Sequence, residues 1–504
     1  MIEWSPFEET QLQPRHEGHL HTINVKYGYY VLLLSAIHAG LIILQSYLQT
    51  ERWRKDGVIG NRSPWIKVFL MVTAWTIVFV VMSVWAVNFN EHITVFFKRC
   101  GRLSMALLPF NIFLVLRLAN PTFNFFNYLG QINLHKWISR LIIVFSTIHS
   151  IGFLVKWTHD GVLVNKVTNK LNALGIAVFA SSLLLVVVSL RYFRRRIYKY
   201  FYLWHNITVW GFVVVIGFHA RPGVFLYAVV CMTLLAFQIF NRFSDQEPID
   251  SPQVIRDSDM GSNLVIVRIP KMYIAPWSPG SHVRIQLRSW QQYFFPSHPY
   301  TIASTIDDPT LDLVARESRN FKFNSELFYY LTGPYPVVPE PFFQTAEKVS
   351  IICGGSGISF GLPIVKGIRN TGNHASVKLI WCVRNIADTY ILKHLGLEET
   401  ISVYVTGSSG GSGMDEVTEG LLGAGSSAAD DSFEMESLLQ NIQHKGRTLA
   451  NVKRGRPDFD EVFANLNESE TKSNQWLIAC GPEGLVDLAR KWSKSHKVPF
   501  MSEI

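Results

Sequence analysis

The sequence predicts two architectures in one chain: a multi-pass α-helical membrane domain, followed by a soluble module with an antiparallel β-barrel and an α/β nucleotide-binding domain. Three observations carry this. Of 504 residues, 48% are hydrophobic and only 17% charged, where a soluble domain holds about 25% charge. The deficit sits in the first half, where long uncharged runs recur. The second half alternates short strand-like runs with glycine turns and helical stretches. Such a composition excludes a wholly soluble enzyme, a disordered chain and a collagen-like repeat. Five cysteines without CxxC spacing, Cys100, Cys231, Cys353, Cys382 and Cys480, exclude a disulfide framework and a cysteine zinc site. The net charge of +9 lies beside apolar runs, so it reads as a topology signal, and no nucleic-acid partner is expected.

Residues 1–26 are a polar tail on the non-cytosolic side, without the pattern of a cleavable signal peptide. The membrane domain covers 27–240 and holds seven runs: Tyr27–Leu48, Val68–Asn88, Leu103–Leu116, Leu134–Val155, Asn172–Leu190, Phe201–Ala220 and Val224–Phe240. A span needs about 20 residues, and the third run, bounded by Lys98, Arg99, Arg102 and Arg117, is the shortest. Two connections are strongly basic, one with Arg52, Arg54, Lys55, Arg62 and Lys67, the other with Arg191, Arg194, Arg195, Arg196 and Lys199. Both belong in the cytosol by the positive-inside rule. An odd number of spans then leaves the C-terminal half cytosolic.

Histidines inside these runs carry the chemistry. His135 and His149 lie in the fourth run, His205 and His219 in the sixth, and both pairs are fourteen residues apart. Fourteen residues rise about 21 Å and make almost four full turns, so both members share one helix face. Ionisable side chains in a bilayer are costly and point to function. In two parallel helices His135 levels with His205 and His149 with His219. Each pair can clamp a haem iron between two imidazoles, which gives a stacked electron path through the bilayer. His38 has no such partner and reads as structural. Arg102, Arg117 and Arg140 are placed to meet a haem propionate, or to snorkel to the interface.

Residues 241–252 read as a polar linker. Between 253 and 345 the runs NLVIVRIP and SHVRIQL alternate in the manner of barrel strands. Here His298, Pro299, Tyr300 and Thr301 place an aromatic ring beside a hydroxyl, a pairing that can stack on and bond a flavin. The α/β domain, 346–504, opens with the strand Val349–Cys353 running into Gly354, Gly355, Ser356 and Gly357, with helix Leu362–Asn370 beyond. Strand, glycine turn and helix make a phosphate cradle, since glycines admit close approach and the helix N-terminus supplies amides and dipole. A second strand, Val377–Val383, ends at Arg384, and a late strand, Trp476–Ala479, ends at Cys480, Gly481 and Pro482. Alternating strands and helices predict a parallel sheet with its site at the strand C-termini. Arg456 offers a cation for a 2′-phosphate and so favours NADPH over NADH. Residues 407–432 are Gly/Ser-rich and read as a flexible surface insertion. No side chain is assigned a catalytic acid, base or nucleophile role.

On these residues the chain resembles the ferric reductase and NADPH oxidase superfamily of transmembrane flavocytochromes, over roughly residues 95–500. The marks are Gly101-Arg102-Leu103 with Leu108-Pro109, the two histidine pairs, Pro279-Gly280-Ser281-His282-Val283, His-Pro-Tyr-Thr, Gly333-Pro334-Tyr335, the glycine turn and Cys480-Gly481-Pro482. The short yeast metalloreductase branch is nearest in look. The resemblance implies a bis-haem membrane core and a ferredoxin-reductase-like module. It also implies a route from cytosolic NADPH through FAD and two b-type haems to an acceptor on the far side. That acceptor is ferric or cupric ion in a metalloreductase of iron and copper homeostasis, or O2 in a superoxide-generating oxidase. His16, His19, His21, His92, His159 and Arg221, on the outer side, do not choose between them. His298–Thr301 fall on the flavin motif, and Gly354, Gly355, Gly357, Cys480 and Gly481 on the nucleotide motifs. Pro336, and the closing Met501-Ser502-Glu503-Ile504 in place of a flavin-covering aromatic, depart from the family pattern. The implied host is the cell membrane or the endoplasmic reticulum. A non-catalytic channel or adaptor is the remaining class, and the presence of every motif argues against it.

Overall fold

A computed structural model describes residues 16–56, 64–116, 128–220, 223–244, 246–257, 261–271, 274–289, 297–317, 321–395, 401–407, 452–466 and 474–503. These form two compact units, one mainly of residues 16–47 and 64–244, the other mainly of 246–503.

The first unit is helical: α1 His16–Asp56, α2 Pro64–Val84, α3 Phe89–Phe113, α4 Ile132–His159, α5 Leu163–Val167, α6 Lys170–Ser189, α7 Arg191–Arg196, α8 Tyr198–His219 and α9 Phe225–Ser244. Among the described residues, six stretches are long and apolar enough to cross a membrane, Asn24–Leu48, Ile66–Val84, α4, α6, α8 and α9. Their outward faces carry large apolar side chains such as Leu33, Phe69, Leu184 and Phe225, as a lipid-facing surface requires. The seventh expected run, Leu103–Leu116, falls in α3. This helix has membrane length, at 25 residues, but Glu91, Lys98, Arg99 and Arg102 dilute its apolar character. Its second half, from Leu103 to Ile112, is buried among its neighbours rather than turned to lipid. The Ser104 hydroxyl lies 2.9 Å from Cys100 O and 3.2 Å from Ile142 O of α4, so its one proton is shared between its own helix and α4. Among the described residues, six helices are apolar enough to cross a membrane by length and composition, and the seventh expected run lies in the buried α3.

The second unit opens on a barrel of two antiparallel sheets. One has the order β1-β7-β4-β5, with β1 Gln246–Ile249, β7 Tyr329–Tyr335, β4 His282–Leu287 and β5 His298–Thr301. The other is β2-β3-β6, with β2 Gln253–Ile255, β3 Leu264–Pro270 and β6 Thr310–Arg316. Val265, Val267, Val283, Ile285, Leu311, Leu313 and Leu331 fill its core. The stretch 241–252, expected as a linker, holds the last turn of α9 and strand β1, which pairs with β7. Its residues are polar because β1 is an edge strand.

Then comes a six-stranded parallel sheet of order β11-β10-β9-β8-β12-β13: β8 Lys348–Gly354, β9 Ser376–Val383, β10 Ile401–Val405, β11 Val452–Arg454, β12 Gln475–Cys480 and β13 Phe500–Glu503. Helices α10 Phe342–Thr345, α11 Ile358–Asn370, α12 Tyr390–Leu395, α13 Phe459–Val462 and α14 Glu483–His496 accompany it. The chain enters at β8, moves outward through β9, β10 and β11, then returns to the other side of β8 as β12. That reversal is a topological switch point, where such sheets bind ligands at the strand carboxyl ends. Barrel and sheet are clamped together. Lys366 Nζ pairs with Asp308 at 3.0 Å, Ser262 Oγ donates to Asp388 at 2.7 Å and Tyr390 OH to Leu264 O at 2.7 Å. Most of the insertion 407–432 lies outside the described residues.

Candidate electron-transfer site

At the switch point β8 ends in Gly354, a 3-10 turn covers Gly355–Gly357, and α11 starts at Ile358. Opposite, β12 ends in Cys480, and Gly481 follows it. The two turns touch backbone to backbone. A Cβ on Gly481, whose φ is +144°, would sit 2.8 Å from Gly354 N, and one on Gly357 would sit 2.6 Å from Cys480 O. Only glycine permits this closeness, and it sets the N-terminus of α11, with its dipole, at the switch point. Arg384 follows β9 and is exposed, as is Arg456 beyond β11. Both arginines thus stand on the same carboxyl edge as the glycine turn. With strands about 4.8 Å apart, Arg456 stands about 14 Å across the sheet from β8.

The flavin motif is strand β5, paired to β4 with His282 opposite Thr301 and Ile285 opposite His298. β5 is an edge strand, so Pro299 removes no ladder bond from the sheet interior. Buried Arg284 fixes its entry, donating from Nε to Ser297 Oγ at 2.8 Å and from Nη2 to Ser297 O. Tyr300 packs at 5.2 Å against Phe323, and His298 at 4.4 Å against Phe321. Burial, helped by Tyr329 and Glu317, pushes the Tyr300 phenol above its ordinary value, so it stays a neutral donor. Burial and then Arg284 lower His298, which keeps its imidazole neutral at pH 7.

In the membrane unit the structure brings His135 to His205, with ring centres 6.3 Å apart and planes at 65°. It brings His149 to His219, at 6.4 Å and 81°. An ion held at about 2.0 Å from each imidazole nitrogen, with about 1.1 Å from nitrogen to ring centre, requires ring centres about 6.2 Å apart. Both pairs fit that spacing. Three of the four rings are also locked from behind. His135 Nδ1 bonds Asn111 O at 3.0 Å, His149 Nδ1 bonds Phe97 O at 2.9 Å and His219 Nδ1 bonds Leu171 O at 2.7 Å. A carbonyl only accepts, so each Nδ1 carries the proton and each Nε2 keeps a bare lone pair. Metal-ligating histidines are commonly oriented by such a bond from the far ring nitrogen.

Space is made for the rings by glycine. A Cβ on Gly101 would lie 2.8 Å from His149 Nδ1, and one on Gly175 2.7 Å from His219 Cε1. The unit also holds buried donors with no partner among the described residues, Arg102 Nη1, Tyr227 OH and Trp204 Nε1. A Cβ on Gly28 would meet both Tyr227 OH and Arg102 Cγ, so these two side chains sit together, and a carboxylate such as a propionate suits them. Arg140 is exposed and stacks on Trp137 at 4.3 Å, and Arg117 lies outside the described residues. Sequence reasoning missed Tyr227, Gly175 and the three carbonyl locks. Only the small residues in apolar runs give a signal, because a carbonyl has no side chain to read.

A nucleotide crevice, a flavin strand and a helical membrane unit define an integral membrane pyridine-nucleotide oxidoreductase. The chain belongs to the ferric reductase family. Residues 100–216 match the family described as ferric reductase like transmembrane component, 253–333 the FAD-binding domain and 346–494 the ferric reductase NAD binding domain. It is 42% identical over 522 residues to "Probable metalloreductase AIM14" of Debaryomyces hansenii, with 99% of each chain covered. It is 40% identical to the protein of the same name from Scheffersomyces stipitis, covering 99% of this chain and 98% of that one. Among solved structures, a ferredoxin NADP+ reductase from Neisseria gonorrhoeae aligns with 51% of this chain and 98% of its own, at 15% identity and a TM-score of 0.34.

Proposed function

We propose that this protein is a transmembrane metalloreductase. It carries electrons from cytosolic NADPH to ferric or cupric ions on the opposite face of the cell membrane or endoplasmic reticulum, in iron and copper homeostasis. The observation that carries this reading is the pair of imidazole clamps, at 6.3 and 6.4 Å, stacked on two shared helices of a chain that also holds flavin and nucleotide motifs. When bound, FAD supplies the exchange of a hydride for single electrons, and two b-type haems supply one-electron steps across the apolar layer.

The remaining work falls to the chain. The amides of Gly355, Gly357 and the first turn of α11 hold the pyrophosphate, and their glycines let the nucleotide reach the backbone. Arg384 and Arg456 meet phosphate charge farther along the edge, and Arg456 gives the preference for NADPH. Cys480 and Gly481 line the switch point, where a ring can approach closely because no Cβ intrudes. Tyr300 and Thr301 orient the flavin, with His298 and Pro299 fixing their strand. His135 and His205 form the inner clamp, and His149 and His219 the outer. Arg102 and Tyr227 hold a carboxylate near the outer one. The basic connections around α7 and between α1 and α2 support a cytosolic second unit. The metal acceptor is supported by the names of the relatives.

The test uses full-length protein in sealed vesicles with the NADPH side outward and a ferric chelate trapped inside. Reduction that persists without oxygen and in the presence of superoxide dismutase is the expected result. Reduction that vanishes under either condition would make O2 the acceptor and superoxide the product.

A further inference from the structure

The inner clamp is anchored at the end of α3. That helix finishes on a tightened turn, in which Val115 N donates to Ile112 O and Leu116 N to Phe113 O, both at 3.1 Å. In a regular α-helix Val115 would donate to Asn111 O. Here that carbonyl is left over, one of the last-turn acceptors a helix cannot satisfy itself, and His135 Nδ1 takes it at 3.0 Å. The side chain of the same residue reaches the same turn of α4. Asn111 Nδ2 donates to Ser139 Oγ at 2.9 Å, and Ser139 Oγ donates to His135 O at 2.7 Å. Since the one hydroxyl proton of Ser139 is engaged there, the amide must face it with its NH2 group, and Oδ1 is left buried without a donor among the described residues. Asn111 is only 7% exposed. An unmet buried acceptor costs about 1–3 kcal/mol, which a leucine of the same branching would avoid. The amide is explained by what it holds.

We propose that Asn111 is the positioning residue of His135, which rests on the reading of His135 and His205 as haem ligands. Its carbonyl fixes the tautomer that turns Nε2 toward His205, and its side chain, through Ser139, keeps that carbonyl from returning to Val115. The negative end of the α3 dipole adds to the carbonyl's pull on the Nδ1 proton. That pull makes the imidazole a stronger donor and holds the inner haem at lower potential. Asn111→Leu removes the tie while keeping the branched shape of the side chain.

The experiment is a redox titration and electron paramagnetic resonance of full-length haem-loaded protein, with the inner signal identified by its loss in His135→Ala. Asn111→Leu should shift the inner haem's reduction equilibrium five- to tenfold toward the reduced form, about 40–60 mV for a one-electron couple. Its ferric spectrum should change while the outer haem does not. Ser139→Ala should move the same haem in the same direction, Ser139→Thr should keep the wild-type value, and the double variant should not exceed the larger single effect. Both haems unmoved in Asn111→Leu and Ser139→Ala, whatever their melting temperatures, would overturn the inference while leaving the haem reading in place. Wild-type protein without haem would remove both. Should Asn111→Leu not fold, the Ser139 pair decides alone.

Discussion

Replacing Gly481 with alanine probes the nucleotide crevice through backbone geometry alone. The residue has φ +144°, and a Cβ there would lie 2.8 Å from Gly354 N, 2.9 Å from its Cα and 3.1 Å from its O. All three neighbours are backbone, so no rotamer change relieves the overlap. A Cβ-bearing residue at such a φ costs about 1–3 kcal/mol, and forced packing adds about 1–3 kcal/mol. The relief available is to part the ends of β8 and β12, where the phosphates are to be held. If about 3 kcal/mol of this falls on the bound state, NADPH affinity drops by roughly a hundredfold, at 1.4 kcal/mol per decade. The assay is single-turnover flavin reduction against NADPH concentration, on full-length protein, with FAD content and melting followed in parallel. Gly484→Ala is the control, because its Cβ would meet nothing within 4 Å. Gly481→Ala that binds NADPH within threefold of wild type, with unchanged melting, would refute the reasoning.

Other substitutions address separate parts. Gly101→Ala and Gly175→Ala press on rings that are pinned by Phe97 O and Leu171 O. Each should lower the content of one haem, by about tenfold in affinity when the pinning bond of about 1 kcal/mol is lost with some packing. Gly211→Ala on α8, with open space around it, should leave haem content unchanged. Arg456→Gln should raise the KM for NADPH roughly tenfold, a charge-assisted bond being worth about 1.5–3 kcal/mol, and leave NADH unaffected in steady-state kinetics. Burial pushes the Asp388 carboxyl up against the opposing bond from Ser262. A raised folded-state value means stability that is full below the ordinary carboxylate value, about 3.9, and is lost as pH rises through the folded one. Asp388→Asn, which keeps the acceptor for Ser262 without the charge, should therefore melt higher than wild type at pH 7 in thermal denaturation, and lose that advantage at low pH.

The histidine ladder was legible because a helix is rigid, so a repeat of fourteen residues in two parallel runs determines which rings meet. The glycine turn after β8 was legible because strand, turn and helix leave local marks. α3 was harder, since Lys98, Arg99 and Arg102 make it look like a short flanked run, and its burial depends on partners in α4. Strand β1 hides in a polar stretch because an edge strand exists by pairing with β7 rather than by its own pattern. Arg384 and Arg456 could be named, but their places relative to the crevice required the strand order. The link from Asn111 to His135 was out of reach, since it depends on how α3 ends and which carbonyl that ending leaves over.

The most direct measurement is the number of b-type haems per chain in the full-length protein and in two variants, His135→Ala and His149→Ala. Two haems in the wild type, and one in each variant with different spectra remaining, is the expected result. Wild-type protein with FAD but no haem, or two haems retained in either variant, would contradict the paired clamps and with them the proposed path across the membrane.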